Sequence, residues 1–302
     1  MKKSLLAVLV IGMVLGIAGG ASAHIGDTVW LVFEIADADV VDLDLQDQDI
    51  TDWEDVVGDA SLTAADMFAD PTVGEGAPYD PADMDYRLWF GWNQTDSALY
   101  GAMERTDDVF VNEYAGGDLA SVWKHDGSFE FMIDGDHSGG DYSNAANPDW
   151  TDEEKTMAHN RTAQQFIGIA DAPDGQHITY QGAGNGWYTV APYADGGGGT
   201  TGDAPAVSVV EFKVTPGDDI IWNSEADSKF TEMTAGKIIG FQMSIPDFDT
   251  APAAYRAFHT ITGQPATWRY ADRFADGRLV GAGGSTAVDA DSWGRIKASF
   301  GE

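Results

Sequence analysis

The 302-residue chain contains no cysteine, so disulfides, a thiolate nucleophile and thiolate metal ligation are all excluded. Basic residues are also scarce. Lys and Arg together number 16 against 50 Asp and Glu, for a formal net charge of −34, and such a surface repels nucleic acid and anionic membranes. Past the first few turns of sequence there is no apolar run long enough to cross a bilayer. Catalytic signatures are missing too: there is no Gly-x-Ser-x-Gly and no His-Glu-x-x-His. The glycine run at 196–199 lacks the Lys-Ser/Thr that a phosphate loop requires. With so many aspartates, any two can be posed as a glycosidase pair, and such a pair therefore carries no information.

What is present begins with Met1-Lys2-Lys3, an apolar run over residues 5–17 and Ala21-Ser22-Ala23. That is the pattern of a secretory signal over residues 1–23, and it places the mature chain in the periplasm or outside the cell. Residues 24–302 contain no linker and read as one domain. Short alternating runs recur through it, at Val29 to Ile35, Tyr86 to Trp92, Leu99 to Glu104, Phe129 to Asp134, Val207 to Val214, Ile238 to Ile245 and Ser292 to Phe300. Turn residues separate them and no βαβ alternation appears, so the predicted fold is an all-β antiparallel β-sandwich with a few short helices. Helices are expected over 61–68, 150–159 and 224–233. The acidic stretch 37–55 reads as solvated, the Gly-rich stretch 182–205 as a surface loop and 109–111 as a short strand.

One stretch organises the rest. Phe129, Phe131 and Ile133 alternate with Glu130, Met132 and Asp134, which predicts a strand with one face in the core and the other toward solvent or a site. The residues that follow, 134–141, read Asp-Gly-Asp-His-Ser-Gly-Gly-Asp and bring the carboxylates of Asp134, Asp136 and Asp141 into a small volume. Like charges at that spacing take up a hard cation such as calcium or stay apart in a solvated turn. Ala145 stands where a helix-loop-helix calcium site places its Glu, so a calcium ion here would recruit a carboxylate from elsewhere, such as Asp107 or Asp108.

Several of these residues, taken in order, carry a resemblance: Asp52-Trp53, Leu99-Tyr100, the Asp107-Asp108 pair, the strand 129–136, Gly240-Phe241, Asp247-Phe248-Asp249 and Trp293-Gly294. Over most of the chain after the signal this order resembles the β-sandwich of family 9 carbohydrate-binding modules and their DOMON-like relatives. The resemblance implies glycan binding through stacked tryptophans, often with structural calcium, and no catalysis. Where such modules often show Ile-Asp-Gly, this chain has Leu45-Gln46-Asp47, and the family's two sugar-stacking tryptophans match no particular positions here.

An exposed indole can stack on the apolar face of a pyranose while flanking polar side chains hold its hydroxyls. Among the ten tryptophans, Trp89, Trp123, Trp150 and Trp187 are the candidates, with Tyr188 beside the last. Trp92 shares a face with Leu88 and Phe90 and reads as core. Two redox alternatives stand beside the glycan reading. Cleavage after Ala23 makes His24 the N-terminus, where an amine and an imidazole can chelate copper. Haem, which fold relatives bind, would draw on Met103 or Met132 as axial ligand. A calcium-stabilised structural protein of the cell surface that binds no sugar is the other alternative.

Overall fold

The structure is a computed structural model that describes residues 29–117, 121–143, 147–180, 182 and 185–282. The signal sequence, His24 and the strand expected at 292–300 lie outside the described residues. The strands are β1 (Val29–Phe33), β2 (Leu62–Thr63), β3 (Phe68–Ala69), β4 (Met84–Asn93), β5 (Ala98–Asp107), β6 (Ser128–Asp134), β7 (Gln164–Ile169), β8 (Ile178–Tyr180), β9 (Ala194–Thr201), β10 (Ala206–Val214), β11 (Gly217–Asp219), β12 (Lys229–Phe230), β13 (Ile238–Phe248), β14 (Tyr255–Thr260) and β15 (Ala275–Val280). Three short α-helices accompany them: α1 (Asp37–Val40), α2 (Thr51–Val56) and α3 (Asp152–Ala158).

Two sheets make the sandwich. The first has eight strands, with the path β1-β15-β13-β6-β7-β8 and with β14 and β3 added beside β13. The second has five in the order β2-β4-β5-β10-β9. Pairing is antiparallel except between β1 and β15, which run parallel. Between the sheets, Phe131 is the hub of an edge-on aromatic cluster, with Phe129, Phe212 and Phe241 at centroid distances of 5.2–5.9 Å. Phe212 comes from the five-stranded sheet and Phe131 from the other, so these rings join the layers. Burying each aromatic stabilises the fold by roughly 1.5–3 kcal/mol, and edge-on packing adds to that.

The outer faces are covered as well, and this is where the chain departs from its alternation. On the five-stranded sheet, α1, α2 and the chain between them lay Leu45, Ile50 and Trp53 over Trp89, Tyr100 and Ala102. The acidic stretch 37–55 keeps nearly all its carboxylates in solvent, as expected, while its few apolar residues make it a lid with a second small core beneath it. Residues 194–201, expected as loop, form strand β9. Its glycines are needed because the lid on one side and the chain at Ala170 on the other press against its backbone: a Cβ on Gly197 would lie 2.7 Å from the carbonyl oxygen of Leu45, and one on Gly198 would lie 3.1 Å from the Ala170 Cα and 2.7 Å from the carbonyl oxygen of Val209 in the paired strand.

Two expected helices are absent. Residues 62–69 form β2, a 3₁₀ turn over Ala64–Asp66 and β3, although the Thr63/Asp66 capping box is made. Residues 224–233 form a turn leading into β12, because this segment pairs with β11. The helix begun by Thr151 is present, with Glu154 N–H donating to Thr151 Oγ1 at 3.2 Å. No strand forms at 109–111, whose carboxylate-anchored backbone bends away after β5.

Candidate functional site

The connection from β6 to β7 builds one wall of a cleft. It leaves β6 at Asp134, makes the acidic turn, passes through α3 and enters β7 after Arg161 and Thr162. The β11–β12 hairpin builds the other wall. It is tied to β7 by Gln164, whose Nε2 donates to the Gly217 carbonyl at 3.0 Å and whose Oε1 accepts from Gly217 N–H at 2.9 Å. Between them lies a cleft of about 580 Å³ lined by Asp136, Asp141, Trp150, Arg161, Asp218, Asp219 and Lys229 among others. That volume falls within the range of small-ligand pockets.

The polar groups are arranged in pairs. Arg161 grips Asp219 with two parallel bonds, Nε to Oδ1 at 2.5 Å and Nη2 to Oδ2 at 3.0 Å, and the pairing holds the Asp219 carboxyl below its usual range. Arg269 in turn donates from both Nε and Nη2, at 3.1 and 2.8 Å, to a single oxygen of Asp141, Oδ2. Asp218 is steadied by the Thr231 hydroxyl, which donates to it at 2.7 Å. Lys229 makes no ion pair among the described residues. At the base of the acidic turn, burial raises the Asp136 carboxyl, and neighbouring Asp134 reinforces the shift. Trp150 lines the same cleft with 38 % of its surface exposed. The combination is an apolar plate beside fixed donors and acceptors, which suits a ligand with an apolar face and a rim of hydroxyls.

The acidic turn is not a cage of free carboxylates. Asp134 is buried and accepts N–H bonds from Ser138 at 3.2 Å and Gly139 at 2.6 Å. Asp136 accepts from Ser138 N–H at 3.1 Å, and Asp141 is held by Arg269 and by Ser143 Oγ at 3.0 Å. Asp107 and Asp108 do not join them. Arg105 links Asp107 to Asp126, just before β6, whereas the turn follows its far end; seven strand residues put roughly 20 Å between the two groups. The five carboxylates expected to share one metal therefore belong to two places. At the turn itself, backbone N–H groups and Arg269 meet these carboxylates.

Of the expected platforms, Trp150 alone is exposed in the cleft. Trp89 is fully buried beneath α2, with its Nε1 donating to the Gly58 carbonyl at 3.0 Å and Arg87 lying over its ring. The strand alternation set it on the outer face correctly, but the α2 lid covers that face. Trp123 is half-buried and stacked on Tyr255, with centroids 5.3 Å apart, so one face is already occupied. Trp187 and Tyr188 pack on the sandwich core with Tyr193 and Phe230, and Tyr188 is fully buried. Met103 and Met132, the haem candidates, are both fully buried among core side chains.

Sequence reading missed two tryptophans. Trp222, 39 % exposed, sits three residues beyond Asp219 on the β11–β12 turn. Trp268, 42 % exposed, directly precedes Arg269, the partner of Asp141. Neither lies in an alternating strand, and that signal, an aromatic in a turn with no face to pack, could have drawn attention to them.

No family model matches the sequence, and no curated protein matches it either. The chain is similar in fold to solved structures. One is a family 9 carbohydrate-binding module from Caldicellulosiruptor kristjanssonii in complex with cellotriose, 14 % identical over 86 % of this chain and 98 % of that one, with a TM-score of 0.47. A second, the same organism's family 9 module in complex with glucose, is 14 % identical over 84 % and 96 %, with a TM-score of 0.46.

Proposed function

We propose that this is a secreted, non-catalytic glycan-binding protein whose binding site is the cleft between the β6–β7 connection and the β11–β12 hairpin. One observation carries the reading: among the described tryptophans, the three that are exposed, Trp150, Trp222 and Trp268, all line this cleft or lie within three residues of a group that lines it or pairs with its lining. Exposed indoles cost hydration free energy, and one that lines a cleft beside ordered charges marks a surface built to be covered. A pyranose offers the matching chemistry, an apolar face for the indole and hydroxyls for Arg161, Lys229 and the aspartates. Arg161 holds the Asp219 carboxyl below its usual range as an acceptor, which supports binding of hydroxyls over proton transfer. Secretion rests on the N-terminal signal pattern, and structural calcium held by acidic side chains belongs to the same reading.

The test is titration calorimetry of the full mature chain against gluco-, xylo- and manno-oligosaccharides. Trp150→Ala is expected to weaken binding by roughly 1–2 kcal/mol, about five- to thirtyfold, with an unchanged melting temperature. Absence of binding to every glycan, or an unaltered affinity in the variant, would sink the reading.

A further inference from the structure

Three stretches that stand out in the sequence meet on the outer face of the five-stranded sheet: Leu45-Gln46-Asp47, Asp52-Trp53 and the glycine run at 196–199. The residue they meet around is Glu211, which lies in β10 between Ala102 of β5 and Gly197 of β9 and is fully buried beneath the lid. Glu211 ties the lid to the sheet. Its Oε1 accepts the Trp53 indole N–H at 2.8 Å and its Oε2 accepts the backbone N–H of Gln48 at 3.1 Å. The glycines of β9 leave the lid its room: a Cβ on Gly197 would lie 3.0 Å from the Gln46 Cα, and one on Gly199 would strike the Gln48 side-chain amide.

The charges around this tie do not balance. One carboxylate oxygen each of Glu211, Asp47 and Asp52 lies within 4.8 Å of the others. Asp52 accepts N–H bonds from Asp44 and Trp53, and Asp47 accepts one from Asp49, so the lid holds both beside Glu211. The strands around Glu211 add acids on the same face, Asp195 on β9, bonded to Gln46, and Glu104 on β5, together with the Tyr100 hydroxyl, which donates to Asp96. The cations of this face are engaged elsewhere. Lys213, two residues along β10, reaches Asp96 at 3.6 Å, and Arg87 on β4 binds Glu54 and Glu104. Among the described residues no Lys, Arg or His pairs with Glu211, Asp47 or Asp52. Ionised together, these three would crowd negative charge into a buried tie. One proton relieves that repulsion, and the two oxygens of a carboxylic acid still accept from Trp53 and Gln48. Burial raises the Glu211 carboxyl from 4.5 to about 8 against the pull of the Trp53 bond, and Asp52 and Asp47 reinforce the shift.

We propose that the stretch 37–56 is a pH-operated lid: a proton held at Glu211 beside Asp47 and Asp52 keeps it closed, and loss of that proton in mildly alkaline solution releases it and uncovers Trp89 and Tyr100. The closed form holds the proton more tightly than the open form does. Its contribution to closure is therefore fully present below pH 4.5 and is lost as pH rises through about 8. The inference goes beyond glycan binding and does not rest on it, because the cleft is built on β6, β7 and the β11–β12 hairpin.

The experiment is hydrogen exchange of the full mature chain at pH 6 and pH 9, corrected for intrinsic rates and run with and without a chelator, with the Trp53 indole N–H followed by NMR across the same range. Protection over residues 48–57 is expected to fall about tenfold or more between the two pH values while residues 129–133 and 239–245 keep theirs, and the indole signal is expected to titrate with a midpoint of about 8. Glu211→Gln, uncharged throughout, is expected to keep the lid protected at pH 9. Asp47→Asn, at an exposed position, is expected to move the midpoint to lower pH, because one repelling charge is gone. Equal lid protection at both pH values overturns the proposal, and so does a loss spread evenly over both sheets. A lid that opens at pH 6 when the chelator is added gives the seat to a cation and overturns it as well. Should Glu211→Gln fail to fold, the midpoint in Asp47→Asn decides, and an unmoved midpoint refutes the lid.

Discussion

A carboxylate buried without a cation resists ionisation, and Glu130 is placed that way on the outer face of β6. It is 2 % exposed, and the hydrogen bond it accepts from Gln165 Nε2 at 2.8 Å comes from a neutral amide. Desolvation lifts its pKa from 4.5 to about 7, against the opposing pull of the Gln165 bond. The folded protein therefore holds this proton more tightly than the unfolded chain does, so its contribution to stability is present below pH 4.5 and is lost as pH rises through about 7. Glu130→Gln is expected to leave stability near pH 4.5 unchanged and to raise it at pH 8 by up to about 3 kcal/mol. Chemical denaturation at the two pH values checks this, and equal effects at both would refute it. The sequence placed Glu130 opposite the core face correctly. It could not show that Tyr142, Phe258 and their neighbours cover that opposite face, because those residues arrive from distant segments.

At the scale of elements, β9 shows how tertiary contact overrides local preference. Four successive glycines favour a loop on entropy alone, yet this strand pairs with β10 in continuous register from Ala194 to Thr201. The strand exists because two layers come closer to it than a side chain allows. Gly198→Ala would set a Cβ 2.7 Å from the Val209 carbonyl oxygen and 3.1 Å from the Ala170 Cα, both backbone atoms that cannot swing away. A loss of about 2 kcal/mol in unfolding free energy is expected, measurable by urea denaturation; a neutral result would show that β9 is not held between those layers. The helix at 152–158 was legible because its capping box is local. The 62–69 segment carried a similar box and still became strand and turn, since Leu62 pairs with Leu88 and Phe68 with Thr260.

At the scale of the molecule, the exposed tryptophans and the cleft imply an extended binding face. Trp222 follows Asp219 by three residues on the hairpin and Trp268 adjoins Arg269, the partner of Asp141, while neither lines the cleft itself, so the proposed site predicts that a longer glycan reaches them and a single sugar at Trp150 does not. Trp222→Ala and Trp268→Ala are expected to weaken binding of a hexasaccharide about fivefold and to leave monosaccharide affinity unchanged. Calorimetry with the two ligand lengths separates this from a compact site, in which both would weaken together or not at all. The sequence by itself determined the acidic surface, the lack of disulfides and the two-layer β architecture, because charge, cysteine count and strand alternation are properties of residues and their immediate spacing. Only the tertiary structure decided which tryptophans are exposed and which carboxylates meet. Those depend on what covers each outer face and on strand ends that lie more than a hundred residues apart in sequence, as Asp107 and Asp247 do.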